Sequence, residues 1–470
     1  MAAPEEIVME EVSRRRSMVR REEGQGSSGR NIHAPVMEEL SIQIDPTGDN
    51  EWLRSLANEG GVSGDSALAN PKIQKVPPML RGIESNKKCY DPLVVSIGPF
   101  HHGKSELEPM EKHKDYLAKQ YAKKCKVSLQ ELHKRLEEVV ESARKCYTED
   151  STQSFDDKAF ARMMFLDGCF LLQFIYCLVH GNHKDLKMKS HDMAFVRRDF
   201  FLLENQLPFQ VLKVLMNWRF ERNEGEKIIT MFINRSRAQQ EGLLGLEERS
   251  DRDHLPTHLL EIVREQLIDV SAFYEGGCYL RGEWLSYRSA KELRTVGIHF
   301  KRSESQRFSD IKFESSGFFS SHLRLPPITI DDSTKSKLLN LVAYEACPDT
   351  PDDFGVTSYV CFMDSIIDHD KDVEELRSKG ILLNFLGSDE QVADLFNEIA
   401  TDLVPNPHGY AHVKECIENH YKNKTKVWMA EWRHAHFSSP WTVITFVLAI
   451  FAILLSVTQT ILAVFQTFFT

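Results

Sequence analysis

The last 37 residues of this chain, from His434 to Thr470, contain no Asp, Glu, Lys or Arg. Within them, residues 441–465 read WTVITFVLAIFAILLSVTQTILAVF, opened by Trp441 and closed by Phe465. As a helix, this stretch extends about 38 Å at 1.5 Å per residue, against a hydrocarbon core of about 30 Å. A core helix of that length would carry a polar stripe, and only Thr, Ser and Gln interrupt this one. The run predicts one C-terminal transmembrane helix over 441–465, with membrane lipid as its partner. A lipid-anchor signal, with Ser438 and Ser439 as its small residues, lacks the polar spacer that such a route requires.

The rest of the chain reads as globular. At 470 residues, of which 42% are hydrophobic, it has material for a sizeable core. Lys and Arg number 58 against 69 Asp and Glu, a formal charge of −11. That balance argues against nucleic acid as a partner, because phosphate binding needs a basic surface. The first 40 residues hold no apolar run of signal-peptide length. The nine cysteines form no C-x-x-C pair, which points to free thiols in a reducing compartment.

Residues 1–48 read as a disordered tail. Arg14, Arg15, Arg16, Arg20 and Arg21 surround Ser17 in a solvated basic cluster; nuclear import, phosphorylation or contact with acidic lipid are its sharper readings. An α-rich globular domain is expected over 49–433. Val76-Pro77-Pro78 imposes an extended start, and Leu93 to Ile97 is β-rich, stopped by Gly98-Pro99. Helical periodicity over 106–146 predicts surface helices. The apolar stretch 159–180 contains Arg162 and Asp167, which are costly in lipid, so it is expected to be the central core helix and not a second span. Residues 200–216 continue that core, 221–252 read as a polar surface insertion, and 258–270 return to helical spacing. Residues 310–330 predict two strands around a turn at Gly317. Asp331, Asp332 and Ser333 precede one helix, and Ser388 with Gln391 forms a capping box ahead of another. The fold class that results is α+β, predominantly α-helical with a few short strands, plus the C-terminal transmembrane helix.

No phosphate-binding glycine loop, G-x-G-x-x-G, G-x-S-x-G or H-E-x-x-H motif occurs. Three constellations remain. Gly98-Pro99-Phe100-His101-His102-Gly103 places two histidines after a strand; adjacent ligands suit one metal ion poorly, and the segment reads as a structural turn. Glu204, Asn205 and Gln206 lie between apolar runs ahead of Pro208, where, if buried, they must be hydrogen-bonded. Asn205 or Gln206 is placed to satisfy backbone groups that Pro208 leaves open. Asp331 and Asp332 read as helix capping. No residue is assigned a catalytic, cofactor or metal role on these grounds. An enzyme of unrecognised class using His101, His102 or Glu204 is the alternative to an interaction protein, and convergence of those side chains in an open pocket is what would favour it.

Taken in order, IQKVPPMLR (73–81), VSIGPFHHG (95–103), LEPMEK (107–112), MFLDGCF (164–170), DFFLLENQLPFQVL (199–212), the IDD and NLVAYE run within 328–345, FMD (362–364) and GILLNFLGSDEQVADLF (380–396) resemble the plant domain-of-unknown-function 247 family. The hydrophobic tail is also similar to the family's usual end. The likeness runs from about Trp52 to the C-terminus. It implies a land-plant, membrane-anchored protein without established catalytic residues, so it carries over no site. Some members are associated with self-incompatibility loci of grasses, as candidate recognition determinants. The Arg-rich first 48 residues and PDTPDD (348–353) depart from the family pattern.

These observations lead to a non-enzymatic, single-pass, tail-anchored protein of interaction or signalling type with an unidentified protein partner. Lys414, Lys422, Lys424, Lys426 and Arg433 precede the span and nothing charged follows it, so the domain is expected to face the cytosol. Trp428, Trp432 and Trp441 suit an interfacial belt. The sequons at Asn234 and Asn423 would matter only in the opposite topology.

Overall fold

The computed structural model of the protein describes residues 73–235, 255–271, 288–316, 320–423 and 440–469. The basic cluster around Ser17 and the stretch around Trp52 lie outside them. The chain passes the double proline into α1 (Pro78–Arg81), with Pro78 at a first-turn position where a missing N–H costs nothing. Then follow α2 (Glu108–Ala122), α3 (Leu129–Glu137), α4 (Val140–Lys145), α5 (Glu149–Thr152), α6 (Asp157–Val179), α7 (Ser190–Asp199), α8 (Phe209–Asn217), α9 (Glu224–Arg235) and α10 (Leu259–Leu267).

The organising element is α6. Asp156 caps it, accepting the Ala159 N–H at 2.7 Å. Its most apolar window is 78% buried, because α2, α3, α4, α8 and α9 all pack against it. Gly168 sits where α8 crosses; a Cβ there would lie 2.5 Å from Cδ1 of Leu215. The expectation of a core helix, not a second span, therefore holds. Two expectations change. Leu93 to Ile97 forms no strand: Leu93 and Val94 lie in a bend and Val95 to Ile97 join no ladder among the described residues. Part of the supposed polar insertion at 221–252 is α9, which buries Ile228, Ile229, Phe232 and Ile233 against α6. Its charges face outward, and their number hides the apolar stripe from a composition reading. Residues 236–252 lie outside the described residues.

The second half follows α11 (Ala290–Thr295) with β1 (Ile298–Arg302), β2 (Lys312–Ser316), β3 (Ser320–Leu325) and β4 (Ile328–Ile330). The expected pair of strands is β2 and β3, antiparallel with Glu314 opposite His322; Gly317 lies outside the described residues. On its other edge β3 takes β1, in parallel, giving the order β1-β3-β2. Then come α12 (Thr334–Glu345), α13 (Gly355–Ile366), α14 (Asp370–Ser378), β5 (Leu382–Asn384), α15 (Asp389–Ala400) and α16 (Ala411–Lys422). The strand β5 lies parallel to β4. The capping box at Ser388 and Gln391 is formed at the start of α15. At α12 the acids act differently from simple capping. Asp331 Oδ1 accepts from Ser333 N, Ser333 Oγ and Thr334 Oγ1, which builds the turn ahead of the helix and not a bond to its first N–H groups.

The last helix is α17 (Pro440–Phe469). Its window Ile444–Ala463 is apolar and long enough to cross a membrane, and none of it is buried. The α+β, mostly helical class is therefore found, together with an apolar C-terminal helix.

Candidate functional site

The sequence singles out residues 93–103 and 199–206, and the structure brings these together. The segment from Leu93 to Gly98 has backbone N–H groups that must be satisfied, and no strand does it among the described residues. Side chains from the helical layer serve instead. Asp199, at the end of α7, accepts from the N–H groups of Leu93, Val94 and Val95 at 2.9–3.2 Å. Asn205 Oδ1 accepts the Ile97 N–H at 2.7 Å, while its Nδ2 donates to the carbonyls of Val95 and Asp199. Asp167, in mid-α6, accepts the Gly98 N–H at 2.8 Å. Gly98 itself has φ +75°, and a Cβ on it would meet the Gln206 carbonyl oxygen and the Tyr147 hydroxyl, each at 2.8 Å. Only glycine fits there.

Each buried acid of this girdle has its own cation. Arg198 donates to Asp199 at 2.8 Å, Lys114 lies 2.6 Å from Asp167 and from Glu111, and Arg81 donates to Glu204 at 2.8 Å. Burial pushes the Asp199 and Asp167 carboxyls up, and these cations and the N–H donors hold them back. For Glu204, donors outweigh the desolvation, and its carboxyl is held below the usual range by His101, the Val76 N–H and Arg81. The Val76 N–H reaches Glu204 Oε1 at 2.9 Å, so the double-proline start is anchored by the same carboxylate.

His101 and Glu204 do converge: Nε2 lies 3.3 Å from Oε2. They do so in the interior, where His101 is 2% and Glu204 5% exposed. His102 turns the other way, exposed, with its ring edge on Phe155 at 5.6 Å. The two histidines therefore share no site, and Glu204 is already held by a cation and a backbone donor. Gln206 is a buried, bonded amide with two local partners and one distant one: Nε2 donates to the Phe200 and Leu202 carbonyls and Oε1 accepts the Leu260 N–H. These bonds and those of Asn205 therefore go elsewhere than to the backbone groups expected to be left open by Pro208. This arrangement clamps chain segments together. Among the described residues, no group of three His, Cys, Asp or Glu is placed to hold a metal.

A second polar cluster escaped the sequence reading. Glu345, at the end of α12, accepts from the N–H groups of Val356 and Thr357 at 2.8 Å, the first turn of α13. Arg264 of α10 donates to Glu345 at 2.8 Å and also to Asp353. All three side chains are buried. Nothing local marks Arg264 as the partner of an acid 81 positions away.

The three segments of the girdle, 73–103, 164–170 and 199–212, lie inside the range 73–455 that matches the family model DUF247, described as plant protein of unknown function. A UPF0481 protein of Arabidopsis thaliana is 29% identical over 422 residues, covering 81% of this chain and 83% of its own. Another UPF0481 protein of the same plant is 22% identical, covering 86% of this chain and 93% of its own. No solved structure matches. With the family model spanning the polar girdle, both small sheets and part of α17, the chain belongs to the DUF247 family of plant proteins.

Proposed function

We propose that this chain is a single-pass protein held in a membrane by α17, with an α-rich domain that acts by binding a protein partner, as a signalling or recognition component, and not by catalysis. The observation that carries the reading is the contrast between the two long apolar helices. One is 78% buried by its neighbours, and the other is 0% buried over Ile444–Ala463. An uncovered apolar helix of that length is unfavourable in water by roughly 25 cal/mol per Å² of apolar surface, and a bilayer removes that cost. Its hydroxyls fit lipid as well. Thr458 Oγ1 donates to the Leu454 carbonyl at 2.6 Å and Thr460 Oγ1 to that of Ser456 at 2.8 Å, so neither is left unbonded.

In this reading the domain faces the cytosol, because Lys414, Lys422, Lys424, Lys426 and Arg433 all precede the span. Asn234 fits that side too: it lies in the last turn of α9 with its Oδ1 buried, a poor acceptor for a glycan. Protease treatment of intact microsomes tests the orientation. The domain should be digested without detergent; survival until detergent is added, or a glycan on Asn423, would reverse it and favour recognition at the cell exterior.

A further inference from the structure

A cleft of about 230 Å³ opens at the C-terminal end of α6, lined by Leu178, Val179, His183, Arg197, Phe232 and Arg235. Its walls come from α6, α7, α9 and the His183–Leu186 turn. The apolar wall is fixed: the Phe232 ring stacks on Phe201 at 5.8 Å, with Phe200 edge-on at 6.3 Å. The polar wall is cationic. Arg235 Nη1 donates to the Leu178 and Val179 carbonyls at 3.2 and 2.6 Å, the negative end of the α6 dipole. Those two bonds fix one nitrogen of an otherwise exposed side chain, whose Nε and Nη2 make no bond among the described residues.

Arg197 is the unexplained group. It is half-buried, and it has no hydrogen bond or ion pair among the described residues. Asp331 acts on it through space, with no direct bond between the two, and Asp331 Oδ1 is taken by Ser333 and Thr334. Neutralising the end of α6 accounts for Arg235 but not for Arg197, which reaches no carbonyl. Arg197 is partly withdrawn from water at an apolar-walled cleft, with only the through-space field of Asp331 opposite its charge, and an oxyanion entering the cleft would meet it with a directly bonded partner.

We infer that this cleft binds a small organic anion, an oxyanion head between Arg197 and Arg235 with a single-ring or short apolar body on Leu178, Val179 and Phe232. The fork of an arginine matches a carboxylate or a phosphate in the same way, and both heads present the shared chemistry. The volume is that of about seven or eight waters, room for one ring and its head.

The test is calorimetric titration of the full chain, in neutral detergent, with sodium benzoate, phenyl phosphate and benzyl alcohol. Benzoate or phenyl phosphate should bind saturably at one site, the tighter of the two identifying the head, and benzyl alcohol should not. Arg197→Gln should weaken the anion at least about tenfold, and Arg197→Lys, which keeps charge but loses the fork, should weaken it by less. Absence of saturable binding by either anion, equal binding of benzyl alcohol, or undiminished binding by both variants would overturn the assignment. The outcome is independent of whether α17 enters a membrane.

Discussion

Asn205 stands beside Ile97 where a neighbouring strand would, its Oδ1 accepting the Ile97 N–H at 2.7 Å while its Nδ2 donates to the Val95 carbonyl at 3.1 Å. One amide thus reproduces a donor and an acceptor of a β-ladder, and Asp199 takes the N–H groups just before it. Asn205→Ala should cost about 2–4 kcal/mol, since it orphans several buried backbone groups. Asn205→Asp keeps the acceptor but faces the Val95 and Asp199 carbonyls with no donor, and should be no milder. Urea midpoints measure both, and a change under about 0.5 kcal/mol for either would contradict the role.

Glu204 holds the start of the domain through Val76 and Arg81. Glu204→Ala leaves the buried Val76 N–H unpaired and takes from Arg81 the more buried of its two acids, a loss of about 2–4 kcal/mol. Glu204→Gln should lose less, about 1–3 kcal/mol, because Arg81 retains Asp91 at 3.0 Å. Combining Glu204→Leu with Arg81→Met should cost less than the sum of the single changes, the mark of a coupled pair. Strict additivity in a double-mutant cycle would remove the coupling.

The strand that the pattern LVVSI suggests and the segment the structure contains differ for a reason visible in this pair. Composition reports that residues 93–97 prefer to be extended; it cannot report that the partner is a set of side chains from α7 and the 202–206 loop. The central helix was legible because Arg162 and Asp167 interrupt it, and Asp167 proves to be a clamp on Gly98. The capping box of α15 was legible because its two members are three residues apart. The parallel partner strands β1 and β5 were not, since each pairs across a long connection. Arg264 with Glu345 is missing from the sequence reading for the same reason. For Glu204, Asn205 and Gln206 the pattern of three polar residues between apolar runs said only that burial would demand hydrogen bonds; the distant partners Val76, Ile97 and Leu260 were not legible in it.

Glu345 caps α13 from another helix. Glu345→Ala should expose the Val356 and Thr357 amides to solvent exchange and destabilise the domain by about 3–5 kcal/mol, because those buried donors lose their acceptor and Arg264 loses one of its two acids. Hydrogen exchange of those two amides is the specific readout. Protection equal to that of the native chain would show that the cap contributes nothing.

His258 gives a pH signature. Its Nδ1 accepts the Glu261 N–H at 3.2 Å, at the start of α10, and burial pushes its pKa down to about 3 from the usual 6.5. The folded chain therefore keeps it neutral while the unfolded chain takes up a proton below 6.5. The stability it contributes is full above pH 6.5 and is lost as pH falls toward 3, at up to about 1.4 kcal/mol per pH unit. His258→Asn keeps a capping acceptor and cannot titrate, so its melting temperature should fall less steeply between pH 6.5 and 4. Parallel curves for the two proteins would show that His258 is not the group responsible.

The apolar helix α17 is the feature on which the proposed anchoring stands, and alkaline carbonate extraction of plant membranes tests it most directly. The full chain should remain in the membrane pellet at pH 11, and a chain ending at residue 433 should be found in the supernatant with native-like helical circular dichroism. Release of the full chain by carbonate, or retention of the shortened one in the pellet, would contradict anchoring by this helix.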